Sequence, residues 1–240
     1  MDAERNSNLR PRIKDKGISE IEWCNIRVSW LPQLFNTLTE GRRVEDVANI
    51  LEKVAFIIFN YDRAVEFYLA RSIKNHYRIS EKDVHDILNS TAFFHPYGTV
   101  GRLPWQNGNR PVTDFGSAEK RQLLQISYAI NTFTEQIEDS VELGNIRNTV
   151  DEADQLIFLG FAYHDANLEL IQPEKTKDLK RIIGSAYGIS EPDCEVIDDS
   201  LRHLQLTKKA LSQGHGTKIL LDRNAKCADI FRKFGRLIRA

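Results

Sequence analysis

Cysteine is scarce in this chain, and its 3 copies lie far apart. Cys24, Cys194 and Cys227 are odd in number and form no CxxC pair, which excludes a disulfide framework and a four-cysteine zinc site. Histidine and cysteine are nowhere grouped at the spacing of metal ligands. We therefore expect reduced thiols, no bound metal and a cytoplasmic location.

A long apolar run and an excess of one charge are also absent. No stretch approaches the roughly 20 apolar residues that span a bilayer, and the opening segment MDAERNSNLRPRIKDKG is too polar for a signal peptide. Lys plus Arg total 33 and Asp plus Glu total 34, so no global attraction to nucleic acid or anionic membrane is expected. With 240 residues, 41% of them hydrophobic, the chain is long enough for a sizeable core.

What the chain does contain is a recurring order of apolar run, polar or glycine turn, and amphipathic helix. Strands are predicted at VAFIIF (54–59), TAFFH (91–95), QLIFL (155–159), the two isoleucines before Gly184, and TKILL (217–221). The first of these runs is typical of a strand buried on both faces. Helices are predicted at 30–39, at 43–54, after Asp62, after Ser80, at 117–143, after His164, after Ser190 and at 225–238.

This alternation predicts a three-layer, doubly wound α/β fold of the Rossmann-like kind, with a parallel sheet flanked by helices. We expect a helical or loosely ordered segment at 1–43 and an α/β domain at 44–240. Within the domain, residues 96–117 are dense in Gly, Pro and Asn and predict a long loop.

Small or polar residues follow three of the predicted strands. Asn60 and Asp62 follow the first strand, His95 ends the second, and the segment from Gly160 to His164 follows the third. Ligands of open parallel sheets bind outside the carboxyl ends of the strands, so these groups converge on one crevice if the strands are neighbours. Each residue also has an ordinary structural explanation: Asp62 as a helix N-cap, Asn60 as a turn former, His95 as a satisfied core histidine, and Gly160 as a packing glycine.

Taken in order, these segments resemble a known family. FNYDRAVEFYL (59–69) resembles the Asn-containing motif of the sirtuin superfamily and, more closely, that of the sirtuin-like NAD-hydrolysing domains of bacterial anti-phage defence. FFHPYGTVGRLPW (93–105) is similar to the catalytic His motif of those domains. LIFLGFAYHDANLEL (156–170) is similar to their Gly-Thr-Ser-like strand end, and IIGSAYGIS (182–190) to a later element. The resemblance runs from about Val54 to the C-terminus.

The resemblance implies cleavage of the nicotinamide–ribose bond of NAD+, giving ADP-ribose and nicotinamide through an oxocarbenium-like state. It implies that Asn60 contacts the ribose and the attacking water, that Asp62 holds the nicotinamide amide or braces the loop, and that His95 acts as general base. It also implies a close backbone approach to the dinucleotide at Gly160, Phe161, Ala162, Gly184 and Ser185. NAD is then the substrate, and no metal is required.

Two departures limit what the resemblance implies. Protein-deacylating sirtuins carry two Cys pairs between the His motif and the next strand, and this chain has none there, which favours hydrolysis of NAD itself. Nothing before Asn60 matches the Gly-rich loop that cradles the pyrophosphate, because Gly17 and Gly41 are isolated and GTVG (98–101) and GHG (214–216) lie far downstream. We therefore expect one of three cases: the sequence is truncated and lacks its first βα unit, another polypeptide supplies the loop, or the protein binds NAD weakly.

Other functions stay open at this point. The missing phosphate loop removes hydrogen bonds worth about 1.5–3 kcal/mol each, which disfavours catalysis. The chain could instead be a sirtuin-like module without catalytic activity, which binds NAD or ADP-ribose or assembles with a partner or with further copies of itself. A serine hydrolase is disfavoured because no GxSxG follows a predicted strand. The basic residues near the C-terminus are typical of the solvated face of an amphipathic helix rather than a nucleic-acid surface: Arg223, Lys226, Arg232, Lys233, Arg236 and Arg239.

Overall fold

The structure is a computed structural model that describes residues 29–115, 141–173, 181–203 and 217–239, and the backbone of 13–14 and 17–18. The predicted helix at 117–143 lies mostly outside these described residues, as does the GHG segment. The chain divides into two compact units, Met1–Glu138 and Asp139–Ala240. This division does not coincide with the predicted boundary after residue 43.

The first unit combines short strands with helices. Its strands are β1 (Ile13–Lys14), β2 (Gly17–Ile18), β3 (Ala55–Ile57) and β4 (Ala92–Phe94). Its helices are α1 (Leu31–Thr39), a 3₁₀ helix (Val44–Asn49), α2 (Ala64–Tyr77) and α3 (Glu81–Ser90). Strands β1 and β2 pair antiparallel, whereas β3 and β4 pair parallel.

Strand β3 is shorter and more exposed than the sequence predicts. Its pairing with β4 runs from Ala55 opposite Ala92 to Ile57 opposite Phe94, and the Ile58 amide extends it by donating to the Phe94 carbonyl at 2.8 Å. Ala55 is exposed, and the rest of the predicted run is only half-buried. The expectation of burial on both faces is wrong, because β4 is the only strand that pairs with β3 among the described residues.

Helices α2 and α3 form where the sequence predicts them. The α3 N-terminus is capped by Ser80, whose hydroxyl accepts a hydrogen bond from the Asp83 amide at 3.2 Å. The apolar stripe of α2 is buried, with Leu69 and Ile73 both fully inaccessible to solvent. This stripe joins one cluster of buried side chains, which comprises Leu31, Phe35, Val47, Ile50, Leu51, Val65, Tyr68, Leu69, Ile73, Tyr77, Val84, Ile87 and Leu88.

The second unit repeats strand and helix around a three-stranded parallel sheet. Its strands are β5 (Gln155–Phe158), β6 (Arg181–Ser185) and β7 (Lys218–Asp222), in the order β5-β6-β7. Its helices are α4 (Val141–Glu152), α5 (Asp165–Leu170), α6 (Glu191–His203) and α7 (Cys227–Ile238). The three strands and α7 confirm the elements that the sequence predicts there.

Burial is deepest at the central strand of this sheet. Ile182 and Ile183 of β6 are fully buried, as an internal parallel strand requires. Ile183 packs with Ile230 of α7, and the apolar side of α7 adds Phe234 and Leu237 to that cluster. The protein is therefore a mixed α/β protein with parallel sheets flanked by helices. In the described ranges, none of the helices is both long enough and apolar enough to cross a membrane.

Candidate functional site

Asn60, Asp62, Glu66 and His95 lie together where β3 and β4 end, and we call them the strand-end cluster. The His95 ring contacts Glu66 through Nε2, at 2.8 Å from Oε1, and contacts the main-chain carbonyl of Asn60 through Nδ1, at 3.2 Å. His95 is 6% exposed and Glu66 is fully buried. The structure therefore brings positions 60 and 95 together through the His95 ring and the main chain of residue 60.

Hydrogen-bond chemistry restricts where the protons of the His95 ring lie. A carbonyl oxygen only accepts hydrogen bonds, so Nδ1 must carry a hydrogen and donate it to Asn60. At the other nitrogen, either the ring donates to a Glu66 carboxylate or a Glu66 carboxylic acid donates to the ring. In both arrangements one proton lies between Nε2 and Oε1, and neither ring nitrogen has a lone pair available for a substrate.

The side chains of Asn60 and Asp62 differ in their surroundings. Asn60 is exposed, so its amide is accessible to a ligand at the end of β3. Asp62 is half-buried, and its Oδ1 accepts a hydrogen bond from the Ala64 amide at 3.0 Å. That contact closes a turn across Arg63, which is itself the N-cap residue of α2, so Asp62 is not the N-cap. The role of Asp62 towards nicotinamide or the loop stays a prediction.

A buried arginine fixes the loop that follows His95. Arg63 is fully buried, and its Nη1 donates to the Thr113 carbonyl at 2.7 Å. Phe115 stacks on Phe67 of α2, with ring centroids 4.1 Å apart. Nearer the start of the loop, the Val100 amide donates to the Tyr61 carbonyl at 3.1 Å. The segment 96–115 is therefore held against the turn after β3 and the start of α2 by contacts with Tyr61, Arg63 and Phe67.

In the second unit, the carboxyl ends of β5 and β6 meet at Ser185. The Gly160 amide donates to the Ser185 hydroxyl at 2.9 Å, and the Tyr163 hydroxyl donates to the Ser185 carbonyl at 3.2 Å. Gly160 has a left-handed backbone (φ 62°), a conformation that favours glycine. Phe161 is half-buried and Ala162 is exposed. The predicted residues Gly160 and Ser185 are thus neighbours at one strand-end turn.

Gly184 is explained by packing rather than by access to a ligand. A Cβ at this position would overlap the Tyr163 hydroxyl and would lie 2.8 Å from Leu221 Cδ2. Tyr163 is 5% exposed, and burial raises the pKa of its phenol well above the ordinary value. The predicted close approach of a dinucleotide at Gly184 therefore meets a position that Tyr163 and Leu221 already cover.

Neither described thiol is activated. Burial raises the pKa of Cys227, although a hydrogen bond with Ser185 acts in the opposite direction. Burial likewise raises the pKa of Cys194. Both thiols stay protonated near neutral pH, which is unlike a nucleophilic cysteine.

In the part of the chain that the structure describes, no group of three or more His, Cys, Asp or Glu side chains could hold a metal ion. The lack of a metal stays a prediction.

Several cations near the C-terminus are engaged with neighbouring groups. Lys233 binds Asp222 at 2.7 Å, and Arg232 pairs with Asp229. The Lys226 ammonium lies 4.8 Å from the centre of the Tyr187 ring. Each of these three cations thus contacts a carboxylate or an aromatic ring, and the interpretation of the basic segment as a solvated helix face stays a prediction.

Sequence reasoning located Asn60, Asp62 and His95 but missed two buried charges that organise them. Glu66 lies beside Val65 in the buried stripe of α2, and a carboxylate there requires a partner. That placement was the available signal. Arg63 gave none, since its partners are main-chain carbonyls about 50 residues away in the sequence, at Thr113 and Asp114.

The predicted convergence of all strand ends on one crevice stays a prediction. Asn60 and His95 belong to the first compact unit, whereas Gly160, Phe161, Ala162, Gly184 and Ser185 belong to the second. Comparison with known proteins found no matching family model, no matching curated protein and no matching solved structure. The resemblance to sirtuin-like domains therefore depends on the sequence motifs themselves.

Proposed function

We propose that the strand-end cluster is the hydrolytic part of a sirtuin-like NAD+ glycohydrolase. The observation that best supports this function is the contact between the His95 ring and the Asn60 main chain at the ends of two parallel strands. Ligands of parallel α/β proteins bind at strand ends of this kind. The proposal includes the doubly wound, three-layer arrangement that the strand and helix alternation predicts.

The chemistry suits a site whose accessible group is an amide. Hydrolysis breaks the bond between the anomeric ribose carbon and the pyridinium nitrogen, and the electron pair stays on nitrogen, so neutral nicotinamide leaves. A water oxygen forms the new bond to that carbon, and one water proton is released. The leaving group needs no protonation, so the protein's main task is to orient the ribose and the water.

Asn60 can perform that task with its exposed side chain. Its amide oxygen can accept a hydrogen bond from the attacking water, and its NH₂ group can donate to a ribose hydroxyl. Asp62, two residues after Asn60, accepts a hydrogen bond from the Ala64 amide and so fixes the start of α2. His95 holds the same turn through the Asn60 carbonyl; it could act as general base only after the ring gave up one of its two contacts.

An NAD+ consumption assay on the purified chain tests the proposal, with ADP-ribose and nicotinamide measured as products. We expect Asn60→Ala to lower kcat by about 100-fold, the loss typical of misplaced reactants, and His95→Ala to impair turnover as well. Asn75→Ala, at an exposed position of α2, is the matched control and should behave as wild type. Turnover unchanged by both Asn60→Ala and His95→Ala would refute the hydrolase, and turnover absent from the wild type would refute hydrolysis by this chain alone.

A second candidate is a sirtuin-like module that binds NAD or ADP-ribose without chemistry. The observation in its favour is that His95 is buried and that both of its ring nitrogens are engaged. Calorimetric titration with ADP-ribose separates the two candidates. Saturable binding in a chain that leaves NAD+ intact supports the module, whereas product formation supports the hydrolase.

The setting of this function is part of the proposal. We infer a bacterial anti-phage defence context in the cytoplasm, with no metal. The chain would form a homo-oligomer, or a partner polypeptide would supply the Gly-rich phosphate loop that this sequence lacks. Mass photometry with and without NAD+ would show whether an assembly accompanies turnover.

A further inference from the structure

We propose that Glu66 is a positioning residue that fixes the His95 ring and, through it, the Asn60 turn. The catalytic consequence of this inference rests on the proposed function, while the structural part does not. Glu66 lies outside the roles that the motif resemblance assigns, and it projects from the first turn of α2.

The burial of Glu66 is the first observation behind this role. Its side chain is 1% exposed, against 7% for that of His95, and the two meet through Oε1 and Nε2 at 2.8 Å. The second carboxyl oxygen, Oε2, is buried and has no hydrogen-bond partner. A carboxyl group so poorly supplied with other donors depends strongly on His95, because an unpaired buried charge is costly.

The direction of the hydrogen bonds is the second observation. Nδ1 must donate to the Asn60 carbonyl, and this leaves Nε2 to be held by Glu66. The chain of contacts thus joins α2, the segment after β4 and the turn after β3. Rotation of the ring would release the Asn60 carbonyl, and the amide side chain of the same residue would lose its orientation.

Two substitutions separate positioning from proton transfer. In Glu66→Gln, the amide NH₂ can donate to Nε2 of a neutral ring while Nδ1–H still donates to the Asn60 carbonyl, so the geometry is retained. Glu66→Leu has similar volume but no polar atom, so it cannot hold Nε2. We expect kcat for NAD+ hydrolysis to stay within about threefold of wild type in Glu66→Gln and to fall about 100-fold in Glu66→Leu, with KM little changed.

Nitrogen-edited NMR of the His95 ring gives a readout that needs no turnover. We expect an exchange-protected Nδ1–H signal in wild type and in Glu66→Gln, and its loss in Glu66→Leu. Folding is followed on the same samples, and kcat is expressed per folded molecule, so that a purely structural role would leave it unchanged. If Glu66→Leu does not fold, the Glu66→Gln result still decides between positioning and proton transfer.

The outcomes distinguish this inference from the proposed function. A protected Nδ1–H signal that persists in Glu66→Leu would overturn the positioning role, whatever the turnover. A Glu66→Gln variant with the signal intact but kcat reduced about 100-fold would overturn it as well, because charge or proton transfer would then be required. Absence of NAD+ hydrolysis in the wild type would refute hydrolysis by this chain alone, and the NMR comparison would still test Glu66.

Discussion

Replacement of Gly184 by alanine tests whether this glycine serves packing or ligand access. Gly184 lies in β6, and the methyl group of alanine would overlap the Tyr163 hydroxyl and lie 2.8 Å from Leu221 Cδ2. Both neighbours belong to the same unit, and Tyr163 is 5% exposed, so the overlap cannot be relieved into solvent. We therefore expect Gly184→Ala to destabilise the second unit.

The magnitude follows from three contributions. Overpacking a filled interior costs about 1–3 kcal/mol. Displacement of the ring weakens the Tyr163 hydrogen bond to the Ser185 carbonyl, now 3.2 Å, which is worth about 1 kcal/mol. Alanine lowers the conformational entropy of the unfolded chain, which stabilises the folded state by about 0.4–1 kcal/mol. The net expectation is a loss of about 1–3.5 kcal/mol in the free energy of unfolding.

Urea unfolding followed by circular dichroism measures this loss, and hydrogen exchange of peptides from β5 and β6 assigns it to the second unit. Gly144→Ala is the matched control, because nothing lies within 4 Å of a Cβ at that helical position. It should raise stability by about 0.5–1 kcal/mol. Tyr163→Phe removes the overlapping oxygen, and the nearest ring carbon, Cζ, would be at an ordinary 3.4 Å from the new methyl group.

In the Tyr163→Phe background, Gly184→Ala should therefore cost about 1 kcal/mol less than in wild type. Equal costs in both backgrounds would refute the Tyr163 overlap as the cause. A Gly184→Ala protein as stable as wild type, but weaker in ADP-ribose binding, would refute the packing explanation. That second result would instead support the predicted contact between Gly184 and the dinucleotide.

Three further predictions concern buried or capping contacts. Arg63→Met leaves the Thr113 carbonyl without its buried donor, so stability should fall by about 1–3 kcal/mol and limited proteolysis should cut faster within 96–115. The hydrogen bond from Lys233 lowers the pKa of Asp222 in the folded protein below the unfolded value, near 3.8. The ionised Asp222 therefore stabilises the fold above pH 3.8, and this contribution is lost as the pH falls through the lower, folded pKa. In thermal melts, the difference in stability between wild type and Asp222→Asn should shrink from pH 6 to pH 3. Ser80→Ala removes the α3 cap and should cost about 1 kcal/mol in urea unfolding, whereas Ser80→Asp should keep most of it.

Local pattern was sufficient to predict most elements of the described fold. The capping pattern at Ser80 and the apolar run around Ile182 each specify their element from neighbours in the sequence. The pairing of strands was not available from the same information. The run at 54–59 is less buried than predicted. Its burial depends on how many strands flank β3, and distant segments of the chain determine that number.

The candidate site shows the same limit at the level of side chains. Asn60 and His95 were recognisable because each follows an apolar run at the predicted strand end. Glu66 and Arg63 were missed because a charged residue is ordinarily exposed and only tertiary partners make its burial tolerable; the position of Glu66 in the apolar stripe of α2 was a signal, whereas Arg63, just before α2, gave none. Tyr163 was missed for a related reason. Its hydroxyl fills the space beside Gly184 of β6, a contact between positions that are distant in the sequence.

The choice between a hydrolase and a binding module depends on which group meets the attacking water. The His95 ring has both nitrogens occupied, by Glu66 and by the Asn60 carbonyl, so it cannot accept a proton from water in this arrangement. An oxocarbenium-like carbon is electrophilic enough to be captured by neutral water, which can lose its proton afterwards to solvent. A hydrolase with this geometry should therefore lose more activity in Asn60→Ala than in a His95 variant that preserves the turn. The reverse order would mean that the ring leaves Glu66 when NAD+ binds.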